Sequence, residues 1–266
     1  MAISLLLGVL IGAVLGLTGA GGGILAVPAL VFGMGWSMQH AAPVALIAVA
    51  GGAAIGALEG LRQGLVRWRG ALLMAAVGMA MTPFGVRLAN VLPQSWLLLL
   101  FAIVMLLVAA RLLHANTAAI DQHVISRRAG GIDPETGRFD WNAPTILLLG
   151  AIGALTGLMT GLLGVGGGFV MMPLLRRYTA VSMHGIVATS LLVIALVGAT
   201  GVASALLHGV TVPLIPTLLF AAATAIGMLF GRKAAGHLSP RHVQYGFAAL
   251  LVMVAGAMLF KWLAAM

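Results

Sequence analysis

Two stretches of the chain repeat one glycine pattern, and the chemistry they suggest is anion binding by backbone N–H groups. The first is Gly16-Leu-Thr-Gly-Ala-Gly-Gly-Gly-Ile-Leu-Ala-Val-Pro28; the second, 145 positions later, is Gly161-Leu-Leu-Gly-Val-Gly-Gly-Gly-Phe-Val-Met-Met-Pro173. Each clustered glycine weakens a helix by about 1 kcal/mol relative to alanine. A half-helix that begins after such a break directs free N–H groups and its positive dipole end into the gap. Two breaks that meet inside a membrane would form an anion site from backbone alone.

The candidate binding residues are the glycines of both breaks and nearby hydroxyls. They are Thr18, Gly19, Gly21, Gly22, Gly23, Gly164, Gly166, Gly167, Gly168, Thr189 and Ser190. Close helix packing is the alternative role for the glycines, and it is the expected role of the ladders at 8, 12 and 16 and at 153, 157 and 161. A threonine hydroxyl has its own alternative, a bond to the carbonyl four residues earlier. Val44 and Ala45 replace Thr189 and Ser190 in the first copy, so any contribution from that pair is asymmetric.

Ionisable residues in the apolar segments are few, and Glu59, His184 and His208 are the candidates for proton coupling. An interfacial ion pair between Glu59 and Arg62 and capping by the histidines are the alternatives. The chain has no cysteine, and no histidine has a carboxylate partner at metal-ligand spacing. We therefore expect no metal and no cofactor. No Ser-His-Asp set is present either, so we expect no enzyme activity.

Composition identifies the elements that must position these residues. The chain of 266 residues is 62% hydrophobic and 7% charged, with a mean hydropathy of +1.14. Soluble domains contain about 25% charged residues, so the sequence predicts an all-α polytopic membrane protein. The net charge of +9 is explained by basic residues on one side of the bilayer rather than by nucleic acid. The amino-terminal stretch is expected to be a retained membrane segment.

A polar linker at 114–143 separates two groups of four apolar segments, at 1–113 and 144–266. The segments are predicted at 3–34, 41–61, 70–90, 95–113, 144–175, 184–207, 212–235 and 243–263. Within the linker, residues 131–141 are expected to form a β-hairpin, because Asp-Pro opens a turn and Gly137 suits a positive φ. Gly64 matches Gly209 at the same offset as the glycine motifs, which indicates an internal duplication.

The basic residues distinguish two topologies. If all eight segments span the membrane, the basic residues divide eight to six between its sides. If the first segment of each half is a re-entrant hairpin turning at the glycines, they divide twelve to two, with Arg87 and Lys261 opposite the rest. The positive-inside rule favours the second arrangement, which gives two repeats of inverted topology and a cytoplasmic linker. One tilted, broken span in place of each hairpin is the alternative. Exposed small-residue faces permit a homodimer without requiring one.

The paired Gly-x-Gly-Gly-Gly motifs followed by proline, in two four-segment halves joined by a polar linker, resemble the sulfite exporter TauE/SafE family. The resemblance covers essentially the whole chain. It implies secondary transport of small sulfur-containing anions, such as sulfite or organosulfonates, across the bacterial cytoplasmic (inner) membrane, often outward. The presence of Thr189-Ser190 in only one half bears on whether both halves contact substrate equally.

We therefore predict a carrier that exports a small sulfur-containing anion by alternating access between two inverted repeats. An anion-selective channel using the same half-helix ends is the first alternative. A membrane-embedded enzyme or an assembly partner of another protein is the second.

Overall fold

The chain folds into a bundle of α-helices. The structure is a computed structural model, and it describes residues 2–114, 141–179, 181–210, 212–235 and 239–264. The helices in these ranges are α1 Ala2–Thr18, α2 Ala26–Gly33, α3 Met38–Arg62, α4 Trp68–Val91, α5 Gln94–His114, α6 Ala143–Leu163, α7 Gly168–Tyr178, α8 Met183–Leu207, α9 Leu214–Ala235 and α10 Pro240–Leu263. A 3₁₀ helix, Gly19–Leu25, joins α1 to α2. The predicted β-hairpin lies almost wholly outside the described residues.

Seven of the described helices are long and apolar enough to cross a membrane, namely α3, α4, α5, α6, α8, α9 and α10. The expectation of an all-α polytopic membrane protein is therefore confirmed. Local signals set several helix starts: the side chains of Ser37, Asn142 and Ser182 accept hydrogen bonds from the first turns of α3, α6 and α8. These caps satisfy N–H groups that lack a partner within the helix.

The first apolar segment returns on itself. Leu7, in the second turn of α1, lies 2.4 Å from a Cβ built on Gly33, the last residue of α2. The hydroxyl of Ser4 also lies 3.6 Å from the sulfur of Met34. Since α1 leads away from Ser4 and the chain is back beside it 30 residues later, α1 and α2 form a hairpin that turns at the glycines.

The two halves pack through helices of matching rank. The first helix of each half packs on the third long helix of the other, as α1 on α9 and α6 on α4. The helices α3 and α8 pack on each other, and so do α5 and α10. Such reciprocal pairing is the pattern that a two-fold relation between two similar units produces.

Glycine contacts give the directions of the paired helices. Between α4 and α6 the contacts advance together: Gly153 on Met74, Gly157 on Gly78 and Gly161 on Thr82. Between α3 and α8 they run in opposite order: Gly60 on Ala188, Gly56 on Leu191, Ala50 on Gly198 and Leu46 on Gly201. The equivalent helices α3 and α8 are therefore antiparallel, whereas α4 and α6 are parallel. The topology of the repeats relative to a membrane stays a prediction.

The glycine ladders lie inside the bundle. A Cβ on Gly157 would lie 2.0 Å from the carbonyl oxygen of Gly78, and one on Gly12 would lie 2.1 Å from that of Thr224. These glycines let helix backbones approach closely, as expected for small-residue contacts in membranes. Because both ladders are used within one chain, they offer no surface to a second copy, and a homodimer stays a prediction.

Most of the described basic side chains lie at one end of the bundle. We call this end the basic face; Arg62, Arg67, Arg69, Arg176, Arg177 and Lys233 lie in the helix ends and the α3–α4 connection that form it. The α7–α8 junction meets the α3–α4 connection there, because a Cβ on Gly185 would lie 3.4 Å from the carbonyl oxygen of Leu65. At the opposite face, the ammonium of Lys261 lies 5.4 Å from the ring centroid of Phe32.

Candidate functional site

The second glycine break opens into a left-handed turn between α6 and α7. Gly164, Gly166 and Gly167 have φ values of 72°, 75° and 64°, a region that residues with a side chain rarely enter. We call residues 164–168 the second turn. A half-helix was expected to begin near Phe169, and α7 begins at Gly168. The glycines are required here for conformation as well as for packing.

The second turn leaves several backbone donors without a backbone acceptor. Within the described chain, Gly164 N–H donates to the carbonyl of Thr160, and the next backbone bond begins at Val170, whose N–H donates to Gly167. The N–H groups of residues 165–169 donate to no carbonyl that the structure describes. A left-handed residue followed by a helical one turns consecutive N–H groups to one side, which makes an anion-binding concavity. The dipole of α7 adds positive potential at the same point.

A buried hydroxyl adjoins this turn and has no partner. Thr156, on α6, is 0% exposed, and its Oγ1 makes no hydrogen bond in the structure. The methyl carbon of the same side chain lies 2.5 Å from a Cβ built on Gly167, and the Oγ1 of Thr160 lies 2.9 Å from that point. Thr160 itself donates to the carbonyl of Thr156 at 2.7 Å. An orphaned buried hydroxyl costs about 1–3 kcal/mol, so Thr156 is a candidate for a ligand contact beside the turn.

The first glycine break differs from the second. Its residues form the 3₁₀ helix Gly19–Leu25, which runs into α2 without a left-handed residue. A free helix end near Ile24 was expected, and the chain instead keeps helical dihedrals through Leu25 and Ala26. A Cβ on Gly22 would lie 2.5 Å from the backbone of Leu15, so Gly22 serves hairpin packing. Thr18 donates to the carbonyl of Val14 at 2.8 Å, the alternative considered for its hydroxyl.

The two breaks meet near the middle of the bundle. A Cβ on Gly23 would lie 3.2 Å from the carbonyl oxygen of Val165 and 3.0 Å from the side chain of Val49. A Cβ on Gly166 would lie 2.9 Å from Ile194 and 3.2 Å from Val49. Val49 and Ile194 are equivalent residues, each near the centre of a helix of 25 residues. The first break therefore packs beside the second turn, which alone presents open donors.

The structure does not bring Thr189 to the second turn. Its Oγ1 accepts a hydrogen bond of 3.0 Å from the backbone N–H of Arg67, in the α3–α4 connection at the basic face. Ser190 is 0% exposed and its Oγ has no hydrogen-bond partner in the structure. It lies one helical turn before Ile194, on the basic-face side of the second turn. The extra hydroxyl of Thr189 therefore has a structural partner, whereas that of Ser190 has none in the structure.

The ionisable candidates also lie away from the second turn. Glu59 is exposed near the end of α3 and accepts a hydrogen bond from the Nε2 of Gln63 at 3.2 Å. His184 is exposed in the first turn of α8, and His208 is exposed just after its last residue, with its Nδ1 2.7 Å from the carbonyl of Ser204. In the described part of the chain no three His, Asp, Glu or Cys side chains gather as a metal site. Proton coupling through any of these residues stays a prediction.

A narrow crevice leads toward the second turn from the opposite face. It encloses a cavity of about 30 Å³, and its polar side chains are Gln39 and Asn90. Its inner wall includes Gly161 and Leu162, at the end of α6, and Gly201 on α8. Asn90 could not be singled out from the sequence, since an amide near a helix end carries no signal of its own.

Long apolar helices and paired halves define a multi-pass membrane protein, and the buried turn with open donors is its candidate site. A family model described as sulfite exporter TauE/SafE matches residues 4–258. Two relatives from Xylella fastidiosa, both named probable membrane transporter protein, are similar to the chain. One, from strain 9a5c, is 30% identical over 194 residues, covering 72% of this chain and 68% of its own. The other, from strain Temecula1, is 29% identical over 188 residues, covering 70% and 67%.

No solved structure matched the chain. Because the family model covers nearly all of it, the chain belongs to the sulfite exporter TauE/SafE family. It is a membrane transporter, and the names of its family and relatives point away from an enzyme.

Proposed function

We propose that the protein is a secondary transporter that exports a small sulfur-containing oxyanion, such as sulfite or an organosulfonate, across the bacterial cytoplasmic membrane. The observation that carries the proposal is the second turn, where unpaired N–H groups and the orphaned hydroxyl of Thr156 adjoin the positive end of α7. All are hydrogen-bond donors, which suits a ligand with several acceptor oxygens. Glu59, the one acidic residue in the described ranges, lies at the basic face, so no carboxylate of those ranges opposes an anion at the turn.

In this proposal the halves are inverted repeats and the basic face is cytoplasmic. The antiparallel α3–α8 pair, the hairpin of α1 and α2 and the gathering of basic side chains at one end support this orientation. The linker at 114–143 then lies in the cytoplasm, because α5 ends and α6 begins at that face. Alternating access follows from rocking of one helix set against the other about the contacts near Val49 and Ile194.

Uptake of labelled sulfite, sulfoacetate and a cationic amine into proteoliposomes tests the proposal. We expect saturable flux of the anions, with counterflow, and none of the amine. Flux with and without an imposed pH gradient then identifies proton coupling. Unitary conductance steps would show that the protein is a channel and not a carrier. Absence of anion flux through folded protein would refute anion transport.

A further inference from the structure

The two ends of the α3–α8 contact differ, although equivalent residues occupy them. At the basic face Gly60 packs on Ala188, whose Cβ lies 2.7 Å from a Cβ built on Gly60. Their equivalents 145 positions away, Ala205 and Pro43, both line the crevice at the opposite face. The same pair of helices therefore packs directly at the basic face, whereas the equivalent residues at the opposite face line a crevice.

A hydrogen bond reinforces the closed end, and no counterpart of it is found among the described residues at the opposite face. The backbone N–H of Arg67, which precedes α4, donates to the Oγ1 of Thr189 on α8 at 3.0 Å, across 122 residues of sequence. Thr189 is 2% exposed, so water does not compete freely for this bond. The residue equivalent to Thr189 is Val44, which has no hydroxyl and cannot make the corresponding bond at the opposite face.

The open end leads to the second turn. Ala42 lines the crevice, and its Cβ lies 2.3 Å from a Cβ built on Gly164, so one side chain separates the crevice from the turn. Gln39 and Asn90 offer neutral N–H₂ donors, which contact an oxyanion without holding it as a fixed cation would. The cavity of about 30 Å³ has room for one or two water molecules and must widen to pass an oxyanion.

We propose that a small oxyanion passes between the second turn and the opposite face through the crevice lined by Gln39 and Asn90, while the Arg67–Thr189 hydrogen bond is a latch that keeps the basic face closed. Thr189 is thus a positioning residue: it acts through the α3–α4 connection rather than on the ligand. Loss of the Arg67–Thr189 hydrogen bond shifts the protein toward the state in which the basic face is open. The identity of the ligand rests on the proposed function, whereas the latch does not.

Cysteine labelling tests the latch, because the natural chain contains no cysteine. Gln39→Cys reports on the crevice, and Val187→Cys, equivalent to Ala42, reports on the closed face. Each variant is reconstituted in vesicles of known orientation and treated with a membrane-impermeant maleimide. We expect Gln39→Cys to label from the opposite face and Val187→Cys to label slowly from the basic face.

Adding Thr189→Val should raise the labelling rate of Val187→Cys about two- to tenfold, the range expected for loss of one hydrogen bond. The rate at Gln39→Cys should change less than about twofold, because the crevice is already present while the latch is intact. Thr189→Ser keeps the hydroxyl and should label as the parent does. Thr200→Val is the matched control, since that hydroxyl on the same helix donates to its own Leu196 at 3.1 Å.

A second variant removes the donor in place of the acceptor. Arg67→Pro deletes the N–H at a residue whose φ of −81° lies near the proline range. Combined with Thr189→Val it should add nothing to the labelling rate, because both remove the same bond. Unchanged Val187→Cys labelling in both single variants would overturn the latch.

Flux tests the route separately. A maleimide adduct on Gln39→Cys should lower anion flux at least tenfold, whereas the same reagent should leave the cysteine-free parent unaffected. Full flux through the adduct would overturn the crevice as the route. If labelling follows the latch but the parent carries no anion, the proposed function fails and the latch stands.

Discussion

Replacing Thr156 by valine tests whether its hydroxyl group binds a ligand or only packs inside the bundle. The hydroxyl is 0% exposed and has no partner, whereas its methyl group packs on Gly167. Valine keeps nearly the same shape and removes the unsatisfied group, which should stabilise the ligand-free protein by about 1–3 kcal/mol. At about 2–4 °C per kcal/mol for a chain of this size, the melting temperature should rise by several degrees.

The same substitution should weaken anion binding. A hydrogen bond to a charged group contributes about 1.5–3 kcal/mol, so the KM for sulfite should rise about ten- to 150-fold. Thermal unfolding in detergent and uptake into proteoliposomes measure the two effects. Thr224→Val is the matched control, because the hydroxyl of Thr224 is equally buried but donates to the carbonyl of Phe220 at 2.7 Å. Its removal should raise neither the melting temperature nor the KM. A lower melting temperature with an unchanged KM would refute the reasoning.

Five further substitutions test the packing. Gly157→Ala places a Cβ 2.0 Å from a carbonyl and should abolish the folded protein, whereas Gly51→Ala, with nothing within 4 Å, should fold normally in size-exclusion chromatography. Gly21→Ala meets its nearest atom at 3.5 Å and should retain flux, but Gly22→Ala clashes with α1 at 2.5 Å and should lower the melting temperature. Ser190→Ala removes a second orphaned hydroxyl and should raise the melting temperature; a fall would show that the hydroxyl has a partner in the folded state.

The helices and the membrane class could be predicted from the sequence because they depend on composition and local signals. The apolar segment expected at 41–61 is the helix Met38–Arg62, whose start moves three residues earlier because Ser37 caps it. The packing role of the glycine ladders could also be predicted from the sequence. Their spacing of four places them on one helix face, where small residues admit a neighbouring backbone.

The difference between the two glycine breaks was not predicted. Both contain the same glycines, but Ala20 in the first is replaced by Val165 in the second. Alanine favours helix and a β-branched residue disfavours it, which is consistent with a 3₁₀ helix in one break and an open turn in the other. A single-residue difference of this kind carries too little energy to be decisive without the surrounding contacts.

The role of Thr189 could not have been predicted either. Its partner Arg67 lies 122 residues away in sequence, and only the antiparallel pairing of α3 with α8 brings the two together. The sequence did show the asymmetry with Val44. The sequence does not indicate whether the hydroxyl of Thr189 faces the ligand or a neighbouring loop, because Thr189 and Val44 are both buried.

The most direct measurement of the central claim is the rise in melting temperature that sulfite or sulfoacetate produces, compared between the parent protein and Thr156→Val. A ligand at about 100 times its Kd stabilises the folded state by about 2.7 kcal/mol, a shift of several degrees. We expect that shift in the parent, and a requirement for at least tenfold more anion in Thr156→Val. Equal responses in the two proteins, or no response to either anion, would contradict an anion site at the second turn.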